Sequence, residues 1–483
     1  MPDEAQSDQA MSMSQTFTIE QKGISHIGED ERHGHPRDLF WMWFATLANV
    51  TAVVSGAVII SIGISFSQAV VVILVGNVLG FATLGVASLQ GPSTGTTTMT
   101  VSRASFGPNG TRGLSFFNWL TCVGFEAAGV AIIALAGLAI LEKAGIQSSA
   151  LVKVIVLIVA ILIQGILPLY GHAAILRSLR FLSFLFAPLF IAMTVIVAPK
   201  VHLSSVSHSG DFSTVLIALA VTIGAGGLSF ANIGSDYTRY LPASSNTRSI
   251  FWAVSVGSFL SATLLEILGA AIQSVAPASD PISGLPKVLP SGLLIPYLIF
   301  AIVTLFAVNT TDLYSSGLTL QTLGVRLKRW QCVVIDLVIC TGLTLVVLFS
   351  NSFNRLFGEF LSLLVLWLAP WFGIYAVDWL MRHNKYDNEA LQNEAGGRYW
   401  GVQGFSIPGV TAMLIGMVAA SLWSDNPVFV GPLSSATSGS DLSAFAGVLV
   451  AAGVYYAMKR QTRWQFGTQD APVDSQQVQV PRG

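Results

Sequence analysis

Two carboxylates, Glu126 and Asp312, stand within long apolar stretches of this chain. Each lies 14 residues from a basic side chain, Glu126 after Arg112 and Asp312 before Arg326. At about 1.5 Å per helical residue, both lie about 21 Å from that side chain, near the middle of a hydrocarbon core about 30 Å thick. An ionisable side chain is costly at that depth and is a candidate functional group. Two carboxylates that meet at one depth do not both ionise readily, so the pair predicts a carrier coupled to protons.

A structural interpretation of the same residues stays open. Thr310 and Thr311 directly precede Asp312. Their hydroxyls could satisfy a buried carboxylate, which would then titrate nothing. Glu126 could be satisfied in the same way, so the carboxylates alone do not establish coupling.

The composition indicates an integral membrane protein. Of its 483 residues, 53% are hydrophobic and 10% are charged, against about 25% charged in soluble domains. A net charge of -1 offers no basis for nucleic-acid binding. The cysteines at positions 122, 332 and 340 lie in apolar runs and are expected to be small buried hydrophobes. Residues 1–36 lack the apolar core of a signal peptide and are expected to form a disordered cytoplasmic tail.

The elements that must position these groups are membrane helices. A span needs roughly 20 mainly apolar residues. Twelve segments qualify, numbered here helix 1 to helix 12. They lie near residues 38–60, 66–89, 114–141, 149–169, 181–199, 212–233, 251–276, 293–321, 331–350, 356–379, 405–424 and 441–458. The predicted fold is therefore an all-α polytopic membrane protein with 12 transmembrane helices.

Basic side chains are distributed unevenly between the two sides of these helices. With the N-terminus inside, 19 Lys and Arg residues lie on the cytoplasmic side and five on the other. The positive-inside rule therefore predicts a multi-pass protein of the plasma membrane with both termini cytoplasmic.

Helices 1 and 6 contain more helix-weakening residues than a simple anchor needs. Non-helical backbone survives at membrane depth only where protein or a water-filled cavity satisfies it. Two broken helices separated by four intact ones fit a five-plus-five inverted repeat. The alternative is that the small residues merely permit close helix packing. The residues concerned are Asn49, Thr51, Ser55 and Gly56 in helix 1, and Gly224, Gly226, Gly227, Ser229 and Asn232 in helix 6.

This repeat divides the chain into units. Residues 37–200 are expected to form the first five-helix repeat and residues 201–380 the second. Residues 381–404 follow as a cytoplasmic loop, 405–458 as two additional helices and 459–483 as a cytoplasmic tail.

Three further acidic residues in these helices are weaker functional candidates. Asp336 lies about 10 Å along its helix from Arg329, which places it near the headgroups. Glu359 can pair with Arg355 one helical turn earlier. Glu266 in helix 7 lies deeper but lacks polar neighbours, and helix 7 is expected to be peripheral to the site.

Several polar strings resemble those of the purine–cytosine permeases of the nucleobase–cation symporter family. The loop Gly91–Gly107 is similar to that family's Gly-rich segment, which ends in a serine, an arginine and a phenylalanine-glycine pair. Helix 6 runs into Ser235–Pro242, the most recognisable string. Helix 8 supplies Asn309 and the string Leu313–Leu318, and helix 10 supplies Ala369, Pro370 and Asp378.

The resemblance implies the fold of the sodium-coupled amino-acid transporters, with a planar heterocycle held between helices 1, 3, 6, 8 and 10. Phe125 stands where the family places an aromatic that stacks on the substrate, although a membrane phenylalanine is usually packing. Gly129 stands where the family often has an amide. Glu126 and Asn309 are therefore expected to form the hydrogen bonds to the edge of the base. Asp312 and the helix-break residues Asn49, Gly226, Gly227, Ser229, Phe230 and Asn232 are expected to complete the pocket.

The resemblance leaves the coupled cation open. Sodium sites in this architecture use carbonyls of helix 1 and hydroxyls of helix 8, which Thr310 and Thr311 could supply. The carboxylates Glu126 and Asp312 argue for protons instead.

Three charged residues near the predicted cytoplasmic side are candidates for a gate. Asp236 and Arg239 lie three residues apart at a helix end, so they could pair and close the site. The alternative is an ordinary interfacial ion pair worth under about 1 kcal/mol. Arg103 could likewise be a gate residue or only a positive-inside anchor.

These features together predict a secondary carrier that imports a purine or cytosine with a proton by alternating access. Allantoin, hydantoin, uracil or a vitamin heterocycle are the alternative substrates, and sodium is the alternative ion. A membrane enzyme is disfavoured because the seven histidines form no spaced metal set and no P-loop string occurs. The sequence therefore predicts no catalytic residue, metal or cofactor. A channel stays conceivable, and saturable uptake against a gradient would exclude it.

Overall fold

The structure is a computed structural model that describes residues 25–166, 187–201, 209–325, 328–350, 352–393 and 395–466. Within these residues, helices occupy the described part of every predicted segment. Helices 1 to 6 comprise Pro36–Leu47 with Val50–Ser61, Phe66–Ala87, Pro108–Lys143, Ala150–Ile166, Ala187–Lys200 and Phe212–Ile223 with short continuations to Thr238. Helices 7 to 12 comprise Thr247–Val275, Ser291–Leu323, Arg329–Ser350, Phe353–Arg382, Ile407–Leu422 and Ser443–Phe466.

Fewer than twelve of the described helices are long and apolar enough to count as membrane spans. Among the described residues, seven helices are long and apolar enough to cross a membrane, or eight if the two parts of helix 1 form one span. Helices 4, 5 and 11 are shorter apolar helices. A multi-helix membrane fold is therefore observed, whereas the number twelve stays a prediction.

Short elements connect the long helices. Between helices 2 and 3 lie the short helices Gln90–Thr94 and Thr98–Phe106. Leu285–Val288, Asn388–Gln392 and Pro432–Ala436 lie in later loops. The strands Asp425–Asn426 and Phe429–Val430 pair antiparallel between helices 11 and 12.

Helix 1 is broken, with a bend of 60° between its two parts. Asn49 lies at the break, and its side chain accepts a hydrogen bond from the main-chain N–H of Thr51 at 2.7 Å. This contact caps the second part of the helix. The amide of Asn49 also donates to the carbonyl of Thr46 at 2.6 Å. One side chain thus satisfies backbone groups on both sides of the break, as an apolar surrounding requires.

Helix 6 is broken at Gly226, whose φ of -84° and ψ of -130° are not helical. The hydroxyl of Ser229 donates to the carbonyl of Gly226 at 2.9 Å and to that of Ala225 at 3.1 Å. Gly227 allows helix 2 to approach, because a Cβ there would lie 2.0 Å from the carbonyl oxygen of Gly80. Both discontinuities indicated by the composition are therefore present.

Helix 7 packs against both parts of helix 1. A Cβ on Gly257 would lie 2.5 Å from the carbonyl oxygen of Phe40 in the first part. A Cβ on Gly56 in the second part would lie 1.8 Å from the carbonyl oxygen of Glu266. Small residues permit this backbone contact. Helix 7 also contributes Ala262 and Glu266 to the cavity described below, so the expectation that it is peripheral to the site is wrong.

Helices 10 and 12 are joined by a buried polar network. The Asp378 carboxylate and the Arg382 guanidinium form an ion pair at 2.8 Å. The Tyr455 hydroxyl donates to the same carboxylate at 2.7 Å. Arg382 also donates to the carbonyl of Ala104 at 3.0 Å, which ties the helix 2–3 connection to helix 10.

Part of the predicted N-terminal tail is ordered. Ile27 is buried, and its N–H donates to the carbonyl of Gly95 at 2.9 Å. Arg32 donates to the carbonyl of Pro92 at 2.6 Å. The prediction of disorder is therefore wrong for residues 25–36, because buried Ile27 and Arg32 hold them against the helix 2–3 connection. Residues 1–24 lie outside the described residues.

Two acidic residues expected to be structural have partners. Glu359 pairs with Arg355 at 3.7 Å, as predicted. Asp336 is fully buried within the protein. It accepts hydrogen bonds from the indole of Trp119 at 2.7 Å and from the hydroxyl of Ser316, so it joins helices 3, 8 and 9.

Candidate functional site

A cavity lies where the break of helix 1 meets the break of helix 6. Its empty volume of about 550 Å³ includes space that is open to solvent. Helices 1, 2, 3, 6, 7 and 8 contribute its walls. The lining residues are Leu47, Asn49, Thr51, Ala52, Ser55, Phe81, Phe125, Ala225, Gly226, Phe230, Ala262, Glu266, Val308, Asn309 and Asp312. None of these residues is basic.

Two aromatic rings from different helices face each other at this cavity. Phe125 of helix 3 and Phe230 of helix 6 have centroids 6.2 Å apart and an interplanar angle of 25°. Trp43 contacts Phe230 edge-on at 5.9 Å, and Phe360 contacts Phe125 edge-on at 5.2 Å. These edge contacts support the two near-parallel rings from behind.

Asp312 lines the cavity and is 8% exposed. Among the side chains that the structure describes, its carboxylate has no hydrogen-bond or ion-pair partner. A buried acceptor without a partner costs about 1–3 kcal/mol, and more if it is charged. Asp312 is therefore available to a proton, a cation or an N–H donor from a ligand.

Glu266 is a second carboxylate at the same cavity. Its Oε2 accepts a hydrogen bond at 2.6 Å from the side-chain amide of Asn77. The same amide nitrogen donates to the Thr263 hydroxyl at 3.0 Å. The expectation that Glu266 lacks polar neighbours is wrong, because Asn77 lies on helix 2, 189 positions away. The only signal was that Asn77 is itself a polar residue within an apolar segment.

Asn309 of helix 8 lines the cavity beside helix 3. Its amide nitrogen donates to the main-chain carbonyl of Glu126 at 3.1 Å. A Cβ built on Gly129 would lie 2.1 Å from Asn309 Oδ1 and 2.6 Å from its Nδ2. The amide of helix 8 thus occupies the space that a side chain at position 129 would need.

Glu126 does not share the cavity with Asp312. Its side chain is 1% exposed, and its Oε2 accepts a weak hydrogen bond from the Cys340 thiol of helix 9 at 3.4 Å. No hydrogen bond joins the two carboxylates among the described residues. The sequence predicts matching depth for the two carboxylates, but Glu126 contacts Cys340 of helix 9 whereas Asp312 lines the cavity. All three cysteines are buried and unpaired, as expected.

The structure separates the other predicted site residues into two groups. Asn49, Phe125, Gly226, Phe230, Asn309 and Asp312 line the cavity, and the sequence missed the polar residues Thr51, Ser55 and Glu266. Gly227 and Ser229 instead support the helix 6 break. Asn232 donates to Asn118 of helix 3. Thr310 donates to the carbonyl of Phe306 at 2.7 Å, and the side chain of Thr311 lies outside the described residues.

All three predicted gate residues are buried, and none of them lines the cavity. The Asp236 carboxylate accepts from the main-chain N–H of Thr98 at 2.9 Å. Arg239 is fully buried and donates to the Tyr314 hydroxyl of helix 8 at 3.2 Å. Because both side chains are buried, the interpretation as an exposed interfacial pair does not apply.

Arg103 connects two loops. It is 3% exposed, and its guanidinium donates at 3.0 Å to the carbonyl of Leu391 in the short helix after helix 10. A simple positive-inside anchor would instead extend toward the headgroups.

Comparisons with known proteins find similar sequences along almost the whole chain. Residues 26–447 match the family model described as a permease for cytosine/purines, uracil, thiamine and allantoin. YxlA of Bacillus subtilis, which has a provisional purine-cytosine permease name, is 27% identical over 466 residues, covering 94% of this chain and 98% of that protein. The purine-cytosine permease fcyB of Emericella nidulans is 23% identical over 478 residues, covering 92% and 89%.

A solved structure shares the fold. Mhp1, a nucleobase-cation-symport-1 family transporter in a closed conformation with bromovinylhydantoin bound, superposes with a TM-score of 0.74. It is 18% identical, and the match covers 93% of this chain and 97% of that one. At this identity the likeness concerns the fold alone.

Proposed function

Since this chain belongs to the family of permeases for cytosine/purines, uracil, thiamine and allantoin, we propose that it imports a purine or cytosine by cation symport. Members of this family are multi-pass membrane transporters and not enzymes. The observation that carries the proposal is the cavity at the two helix breaks. It combines the facing rings of Phe125 and Phe230 with the polar groups of Asn309 and Asp312.

A planar base requires the two rings to move apart, because their centroids are closer than the separation that a sandwiched base needs. Carbon atoms in contact lie about 3.5 Å apart, so a sandwiched base needs roughly 7 Å between ring planes. The centroids of Phe125 and Phe230 are 6.2 Å apart. Stacking requires only π-faces, which makes it tolerant of different bases. Asn309, Asp312 and Asn49 then supply polar groups to the edge of the base.

Coupling to protons agrees with the acidic character of the cavity. Asp312 has no partner in the described structure, and no basic residue lines the cavity. A proton that moves down about 100 mV and about one pH unit supplies about 2.3 plus 1.4 kcal/mol. This energy suffices for several-hundredfold accumulation at about 1.4 kcal/mol per tenfold.

Alternating access is proposed on the basis of the two breaks. In this proposal twelve helices form two inverted five-helix repeats over residues 37–200 and 201–380, followed by two further helices over 405–458. The breaks lie in the first helix of each repeat. Asp236, Arg239 and Arg103 connect helix 6 and the helix 2–3 connection to helix 8 and the loop after helix 10, so they close the cytoplasmic side. Both termini are then cytoplasmic, in the plasma membrane.

Uptake into proteoliposomes tests this function. Radiolabelled cytosine and hypoxanthine are presented with an inward pH gradient and no sodium, and then with a sodium gradient and no pH gradient. Saturable accumulation with the pH gradient alone is expected. Accumulation that needs sodium alone would contradict proton coupling.

A sodium-coupled carrier of another heterocycle is the second candidate. The family description names uracil, thiamine and allantoin, and the structural relative Mhp1 holds a hydantoin. A thermal-shift screen of heterocycles on the purified protein distinguishes the candidates, because a ligand of the folded state raises the melting temperature. Stabilisation by one of these compounds and by no purine or cytosine would replace the substrate proposed here.

A further inference from the structure

We propose that Glu266 is the residue that binds and releases the coupling proton, whereas Asp312 contacts the substrate. This inference rests on the proposed carrier function and names a group on helix 7 that the sequence placed outside the site. The proton binds one carboxylate oxygen of Glu266 from one side of the membrane and leaves to the other side. No other bond changes.

The surroundings of Glu266 suit a carboxyl group that is protonated in part of the cycle. Asn77 donates to Glu266 Oε2 at 2.6 Å. The Oδ1 of the same amide is buried and has no hydrogen-bond partner among the described residues. An ionised carboxylate can only accept, but a protonated one can also donate. The Asn77 amide nitrogen can therefore donate a hydrogen bond to the Glu266 carboxyl group in either protonation state. Its unpartnered Oδ1 is an acceptor for the protonated form.

Glu266 also contacts both elements that break at the cavity. Its carbonyl oxygen packs against Gly56 of helix 1, where a Cβ would approach to 1.8 Å. Its partner Asn77 packs against helix 6, since a Cβ on Gly226 would lie 3.0 Å from Asn77 Oδ1. A change of charge at the Glu266 carboxyl group thus alters its hydrogen bond with Asn77, which packs against helix 6, while the main chain of Glu266 stays in contact with helix 1. Coupling requires such differential contacts between states.

Among the described residues, Glu266 forms no ion pair with a basic side chain. Helix 7 packs on helix 1, helix 2 and the short helix Leu285–Val288. The second part of helix 1 and all of helix 2 contain no titratable side chain. The first part of helix 1 has Arg37 and Asp38 in its first turn, and the short helix has Lys287. Across the cavity the titratable group is Asp312, which adds negative charge.

The two cavity carboxylates differ in a way that assigns their roles. Asp312 has no partner among the described side chains and lines the empty volume, so a ligand N–H can reach it. Glu266 is already hydrogen-bonded through Asn77 to helix 2. A carboxyl group whose charge must affect the surrounding helices needs such a hydrogen bond. A carboxyl group that binds the substrate must instead be accessible from the cavity.

Substitution Glu266→Gln tests the proposal, with Glu359→Gln as the matched control. Glu359 is also a carboxylate in a predicted membrane helix, but it pairs with Arg355 away from the cavity. In proteoliposomes with radiolabelled cytosine and hypoxanthine, E266Q is expected to lose accumulation driven by a pH gradient. Exchange of external for internal substrate is expected to persist. E359Q should retain both activities. Accumulation by E266Q with the wild-type pH profile would overturn the proposal.

A second measurement is independent of the substrate. Infrared difference spectra between acidic and alkaline pH show the carbonyl stretch of protonated carboxyl groups, and E266Q is expected to lose one such band. An unchanged spectrum would overturn the proposal for Glu266 even if transport is confirmed. If wild-type protein transports neither cytosine nor hypoxanthine but E266Q still loses the infrared band, the proposed substrate is wrong. The titration of Glu266 is then still supported.

A variant of the neighbouring amide covers the case in which E266Q does not fold. Asn77→Ala keeps the carboxylate and removes its hydrogen-bond partner. Its accumulation is expected to follow a pH profile different from that of wild type. A pH profile identical to wild type would contradict the role of the Glu266–Asn77 pair.

Discussion

The Asn309 amide of helix 8 lies directly over Gly129 of helix 3, since a Cβ at position 129 would come within 2.1 Å of Asn309 Oδ1. Because Gly129 of helix 3 has no side chain, the Asn309 amide of helix 8 occupies the space beside it. The departure from the family pattern at Gly129 therefore does not remove hydrogen-bonding capacity from the cavity wall, because Asn309 supplies it from the other helix.

Gly129→Ala is expected to impair substrate binding. The added methyl group must displace Asn309, and overpacking of this kind costs about 1–3 kcal/mol of stability. Loss of one amide contact should weaken binding by roughly tenfold. Ligand-induced shifts in melting temperature measure both effects. Gly113→Ala on the same helix is the control, because a Cβ there meets nothing within 4 Å.

The double variant Gly129→Ala, Asn309→Ala sharpens this test. If the glycine acts only through Asn309, the combined loss of affinity should be smaller than the sum of the two single losses. Additive losses would show that Gly129 affects binding by another route.

Phe125→Ala is expected to weaken binding of a planar base. Removal of a stacking ring costs about 1–3 kcal/mol per base, which corresponds to roughly 5- to 150-fold in affinity. Binding measured by competition with labelled cytosine reports the change. Phe116→Ala serves as the control, since Phe116 is on the same helix and 43% exposed. Equal effects of both variants would argue against stacking.

Asp312→Asn and Glu126→Gln separate the two carboxylates. Asp312 faces the cavity, so its substitution should weaken binding by about tenfold or more, the usual value of a hydrogen bond to a charged group. Glu126 faces Cys340, and its substitution should change affinity much less. Titration of purified protein with cytosine at several pH values compares them. Unchanged affinity and unchanged pH dependence in D312N would make Asp312 a structural residue.

Asp236→Ala is expected to slow transport without abolishing binding. Asp236 does not line the cavity, but it accepts a hydrogen bond from the N–H of Thr98 and joins two elements proposed to close the site. Initial uptake rates should fall while cytosine still stabilises the protein against heat. Asp280→Ala is the control, because Asp280 accepts from main-chain N–H groups in an exposed loop. A loss of stabilisation by cytosine in D236A would place Asp236 in the binding site instead.

Local signals in the sequence were sufficient to predict where the described apolar helices lie and where two of them break. Apolar length identifies a membrane helix because the hydrocarbon core requires it. Asn49 weakens a helix through its polar side chain and Gly226 through the conformational freedom of its backbone, and both breaks occur at these residues. Phe125, Asn309 and Asp312 were identified as site residues through the family resemblance and their depth, and all three line the cavity.

Contacts between distant segments were decided only by the tertiary structure. Depth along a helix is readable from sequence, but the direction in which a side chain points depends on the rotation of that helix against its neighbours. Glu126 and Asp312 are predicted to lie at one depth, and yet they face different surroundings. Glu266 belongs to the cavity because Gly56 lets helices 1 and 7 touch and because Asn77 reaches it from helix 2. The sequence by itself determined which costly polar groups the membrane must accommodate, and close packing of small residues decided which of them share one cavity.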